Sequence, residues 1–241
     1  MRSLMAGLLV AAAATFVSDP RIRTGHRQDG RAYVAGMTKV PTPTEGDAAT
    51  CDPAGQGALK SPGVFARVDT GTDLLKNRID EGAYQPVTVA QLLSLPWQGV
   101  PTRRYNWAAN DTAMVATYES APVALEGYIV AIKEEGKEAT NCGLDVPEWH
   151  DWHMWVVATE VEAHNKDKTR AIVIEVTPRV RAMATDPTTW SKTQIASWAR
   201  EGQRMRVSGW LLFDPDHPPE VGKSRGTTWE VHPVMKLEPA R

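Results

Sequence analysis

The chain has 241 residues, of which 42% are hydrophobic and 23% charged, and its formal net charge is −2. Those proportions suit a globular protein and leave room for one generous domain or two small ones. From Ala121 onward fifteen Lys/Arg face eighteen Asp/Glu. That balance excludes bulk tracking of phosphate backbones, which needs a basic excess to release counterions, and leaves room only for a local basic stripe.

The first seventeen residues place Arg2 ahead of an apolar run of about a dozen, with Ala12 and Ala14 near its end. This is the length of a secretory hydrophobic region and is short of the ~20 residues of a membrane span. Residues 1–17 are therefore read as a signal peptide, with no stable membrane span once it is removed. Residues 18–70 are rich in Gly, Pro, Thr and Asp, lack periodicity, and read as a flexible linker. Cys51 and Cys142 can pair if the protein is exported, or stay as two free thiols if it is not.

Residues 71–120 form a lead-in expected to pack on the following domain, being too short to bury a core alone. The run beginning at Asp73 suits a short helix or an extended arm. Thr88 and Gln91 have capping-box spacing and open a helix that Pro96 stops. Trp97, Tyr105 and Trp107 then fall in a Pro/Arg/Asn-rich stretch.

Residues 121–241 change character. Strands are predicted over 123–132, 152–158 and 171–177, with a polar hairpin turn near 162–169. Ser191 and Gln194 open a helix that ends before Gly202. Strands over 204–213 and 228–237 follow. Gly127 and Gly209 interrupt the first and fourth strands, where a tightly coiled barrel needs relief from crowding. The order, three strands, a helix and two strands, resembles the OB fold: a mainly β, five-stranded barrel (β1-β2-β3-α-β4-β5). A small β-sandwich or a split α+β sheet is the competing arrangement of the same segments.

The OB resemblance implies a ligand face on the second and third strands, flanked by the loops 133–150 and 214–226. Trp155 and Trp229 would stack a sugar or base there. Lys223 and Arg225, in a Gly-bounded basic loop, would meet an anionic group. Residues two apart in a strand share a face, so Asp151 with His153, and Glu230 with His232, form two pairs able to surround a divalent ion, zinc or calcium.

Arg170, Glu175 five residues later, and Arg225-Gly226 also resemble the staphylococcal-nuclease-like OB enzymes. That likeness implies Arg170 and Arg225 as a phosphate clamp and Glu175 as a metal holder. Val176 to Arg181 supply no carboxylate base, however, and without one water is not activated. Gly209–Asp214 and Trp229–Pro233 further resemble segments of uncharacterised bacterial exported proteins. The expectation is a non-catalytic, exported (periplasmic or secreted) OB module that binds an oligonucleotide, glycan or protein partner. A metal-dependent phosphodiesterase and a structural envelope protein are the alternatives.

Overall fold

The computed structural model describes residues 51–55, 71–184 and 189–241. The signal expected at 1–17, and the linker at 18–70 apart from 51–55, lie outside the described residues. Along the chain come β1 (Gln85–Val87), α1 (Val89–Leu93), α2 (Ala109–Tyr118), β2 (Pro122–Glu134), β3 (Trp152–Val157) and α3 (Glu160–His164). Then follow β4 (Ile172–Val176), α4 (Pro178–Ala182), α5 (Lys192–Arg200), β5 (Arg204–Phe213) and β6 (Trp229–Pro239).

The sheet runs β1-β2-β3-β4-β6-β5 and closes by pairing β5 back onto β2. Five strands thus form the OB-type barrel, and β1 is an extra strand, parallel to the start of β2. The helix expected between the third and fourth barrel strands is α5, with the Ser191 hydroxyl accepting from Gln194 N–H.

β2 is the strand that makes closure work. Its first half pairs with β5 and its second half with β3, and Tyr128 belongs to both registers. A strand that changes neighbours midway must coil sharply, and Gly127 sits at the change. A methyl group there would stand 2.4 Å from Val157 O. Gly209 has the same role in β5, beside a register shift, where a methyl group would stand 2.3 Å from Pro233 O.

Period-2 alternation turns Met154, Val156, Ile172, Ile174, Phe213, Trp229 and Val231 into one core. The lead-in shares that core. Leu92 comes from α1 and Leu95 from just after it, Val115 comes from α2, and α5 adds Ile195. Thr88 and Gln91 make the full capping box that starts α1. Trp97 and Trp107 are partly buried against the core, Trp107 edge-on to Phe213. Arg104 ties the lead-in down through Glu119 and Phe213 O, both at 2.6 Å.

Two features depart from the sequence expectation. The connection expected as a plain hairpin turn contains α3, because Thr159 and Glu162 satisfy one another's backbone N–H groups in a second capping box. The stretch after Tyr105 folds as α2, with Asp111 accepting from the Ala108 N–H at its start.

Gly127→Ala and Gly209→Ala should each destabilise the chain by about 1–3 kcal/mol through overpacking against backbone. Gly136→Ala, which meets nothing within 4 Å, should stay within about 0.5 kcal/mol of the parent. Urea midpoints compare the three; equal losses would contradict the crowding explanation.

Candidate metal centre

The same alternation that fills the barrel sends the intervening residues outward. On β3 and β4 the outward set is His153, Trp155, Val173 and Glu175, with Asp151 just before β3; on β6 it includes Glu230 and His232. His153 is the cross-strand partner of Glu175. Parallel pairing sets Val173 beside Glu230, so the next outward residues, Glu175 and His232, also meet.

His232 is the hub. Its Nδ1 lies 3.2 Å from Glu230 Oε1 and 3.3 Å from Glu175 Oε2, and its Nε2 lies 3.7 Å from Asp151 Oδ2. His153 Nδ1 stands 3.5 Å from the other Glu175 oxygen and 3.1 Å from Glu135. Asp151, Glu175 and His232 are all buried, and each offers a ligand atom within 4.8 Å of the other two. Among the described residues, no group donates to Asp151 Oδ2 or bonds His232 Nε2. With the Nδ1 proton assigned to the contact with Glu230, Nε2 presents its lone pair towards a carboxylate oxygen. Two buried acceptors facing one another are what a cation satisfies.

Supports behind these groups hold them in place. Asn141 Nδ2 donates to Asp151 Oδ1 at 3.0 Å, leaving Oδ2 free to point at the histidine. Glu230 takes Arg225 Nη2 at 3.0 Å, and Arg225 also donates to Asp214 at 2.7 Å and Thr227 O at 2.8 Å. Asp214 in turn accepts from His217 Nδ1 at 2.5 Å. A carboxylate behind a ligating imidazole, itself anchored, is the usual outer support of a metal-bound histidine.

The electrostatics follow from burial. Burial, then the charge of Glu230, raise the Glu175 carboxyl well above its usual range. Burial and Asp214 push Glu230 the same way, but the bond from His232 and the Arg225 guanidinium outweigh them and hold it low. Asp214 is likewise buried yet held far below the carboxylate range by His217 and Arg225. Burial lowers His153.

Of the residues singled out from sequence, Asp151, His153, Glu175, Glu230 and His232 meet at one place, and Arg225 supports it. Trp155 lies on the same face but is buried, with the His153 ring stacked on it at 4.5 Å and the Lys168 ammonium 3.5 Å from its ring. Trp229 is fully buried inside the barrel, donating to Pro96 O at 3.0 Å. Arg225 is buried rather than offered by a basic loop, while Lys223 on the same turn is exposed. Arg170 points to solvent and lies 3.6 Å from Glu162. Sequence reasoning missed Asn141, Glu135 and Asp214. Asn141 adjoins Cys142, and Asp214 directly follows β5, yet neither has a spacing that announces its partner.

No protein-family model matches the chain, and no curated protein or solved structure is similar to it. Chemistry at this site is therefore inferred from its own geometry.

His217 is held protonated above its ordinary range by the bond to Asp214, against the opposing effect of burial. The folded state keeps this proton more tightly than the unfolded one. Its stabilisation is complete below the unfolded value of 6.5 and is lost as pH rises through the elevated folded value. His217→Gln should therefore lower the urea midpoint more at about pH 6 than at about pH 9. A loss independent of pH would show that the pair does not titrate as described.

Proposed function

We propose that this chain is a non-catalytic, divalent-metal-binding barrel, with Asp151, Glu175 and His232 as protein ligands and Glu230 fixing the histidine from behind. One observation carries the reading: Asp151 Oδ2 and His232 Nε2 are buried 3.7 Å apart, and neither has a hydrogen-bond partner among the described residues. An ion between them would let Glu175 ionise despite its burial, since metal binding replaces the proton on a ligand. One imidazole with two carboxylates suits zinc, and the nitrogen donor disfavours calcium, which takes oxygen ligands.

The arrangement favours a structural ion over hydrolysis. A phosphoryl clamp needs free guanidiniums beside the metal. Arg170 points away to solvent, and Arg225 is committed to Asp214, Glu230 and Thr227. A stacking surface for an extended polymer would draw on Trp155 and Trp229, and both indoles are already engaged. The ion would cross-link the start of β3, the end of β4, β6 and, through Asn141, the loop before β3. The Cys51–Cys142 disulfide supports export to an oxidising compartment. No helix among the described residues is long and apolar enough to cross a membrane.

Zinc added to chelator-treated protein should bind at about one ion per chain and, at ~100 times its Kd, stabilise folding by ~2.7 kcal/mol. His232→Gln and Asp151→Asn should each weaken binding by at least ~10–100-fold. Calorimetry and elemental analysis measure both effects. An undiminished affinity in both variants, or no bound zinc in the parent, rules the reading out.

A further inference from the structure

A buried cation away from the candidate metal ligands sits against the disulfide. Arg179, on the short helix α4, is 2% exposed. Its Nη2 lies 3.2 Å from Cys51 Sγ and donates to Cys51 O at 2.9 Å and Asp52 O at 3.0 Å. Its guanidinium stands 5.4 Å from the Trp149 ring. Among the described residues no carboxylate pairs with it, and its Nε has no hydrogen-bond partner. A guanidinium shut away from water is unfavourable unless an anion meets it, and carbonyl oxygens and an indole face carry only partial charge. Burial lowers this group to about 10, the field of Asp52 notwithstanding.

The adjacent disulfide can supply the missing anion. Cys51 is buried, whereas Cys142 is partly exposed and packs with Leu144 at the edge of a small cluster around Trp149. Cys142 is held at φ 59°, a left-handed conformation uncommon for a residue with a Cβ. Residues 51–55 do not rely on the S–S bond alone for their place. Arg179 holds Cys51 O and Asp52 O, and Asn77, just after the helical residues 71–76, donates to Pro53 O at 2.9 Å and Thr140 O at 2.8 Å. Two thiols would therefore remain neighbours after the bond opens, and the bond could close again.

We propose that Cys51–Cys142 is an exchange-active disulfide that accepts two electrons from a dithiol, with Cys142 as the sulfur attacked and Cys51 as the leaving thiolate received by Arg179. A thiolate of the dithiol attacks Cys142 Sγ and joins it as a mixed disulfide. The Cys51–Cys142 bond breaks, and its electron pair leaves on Cys51 Sγ. The partner's second thiol loses its proton to water and attacks the partner's own sulfur in the mixed bond. Cys142 departs as a thiolate and takes up a proton, while the partner becomes a disulfide. Two protons leave the dithiol and one returns on Cys142, because Cys51 stays ionised against the guanidinium. Exchange favours the sulfur a nucleophile can reach and the leaving group whose anion is best stabilised. None of these steps involves a metal ligand.

Equilibrating the folded, full-length chain with dithiothreitol, then alkylating and weighing it by mass spectrometry, measures the exchange constant. Arg179→Met should be reduced about tenfold less readily than the parent, a shift of about 30 mV for a two-electron couple. Arg179→Lys, which keeps the charge, should fall between them. A guanidinium that only anchored residues 51–55 would act in the opposite sense, since a loosened segment separates the two thiols and eases reduction. Glutathione, a monothiol, supplies a readout that needs no variant: the mixed disulfide trapped by acid on the parent should sit on Cys142. Reduction of Arg179→Met as readily as the parent or more so, glutathione trapped on Cys51, or a parent bond that opens only in denaturant each overturns the proposal.

Discussion

Parallel pairing between β4 and β6 is the contact on which both the barrel and the centre depend. It sets Val173 beside Glu230 and Ile174 beside Val231. Inside, Ile174 and Val231 enter the core; outside, Glu175 and His232 come within 3.3 Å. Parallel neighbours cannot be joined by a hairpin, so the chain makes a long excursion through α4, α5 and β5 before β6 returns. One ladder therefore closes the sheet and assembles the site, and the outward residues cannot separate without opening the barrel.

Burial of so many charges shapes everything around that ladder. An isolated buried carboxylate is costly, and breaking a buried pair is strongly destabilising because it leaves an uncompensated charge. Here the acids are arranged in series: His217 holds Asp214, Arg225 links Asp214 to Glu230, and Glu230 orients His232. Exposed pairs such as Lys137–Asp145 contribute little by comparison, being screened by water. The series ends at His232 Nε2 and Asp151 Oδ2, which have no hydrogen-bond partner among the described residues.

The lead-in and the disulfide fasten the loop between β2 and β3. The Cys51–Cys142 bond spans 91 residues, and closing so long a loop removes on the order of 4–5 kcal/mol of unfolded-chain entropy in the usual model. It anchors residues 51–55 to the loop that carries Asn141 and so to the support of Asp151. Asn77 and Asp73 extend the same anchorage to the helical residues 71–76. Residues 51–55 and 73–77 thus share their fastening points with the support of Asp151.

Local chemistry in the sequence was enough to specify the five barrel strands, the capped helices α1 and α5, and the need for glycine at 127 and 209. Alternation alone put Asp151 with His153 and Glu230 with His232, because a strand repeats every two residues wherever it lies. Glu175 was legible only as part of a phosphodiesterase pattern, and its meeting with His232 was set by parallel pairing across a long excursion. Nine tryptophans revealed nothing of their own placement: indole size suits a core and a binding face equally, and only packing put Trp229 inside. Asn141 and Asp214 joined the cluster through space. Hydrogen-bond distance and the reach of charge in a buried site depend on folded separation, which no local periodicity encodes.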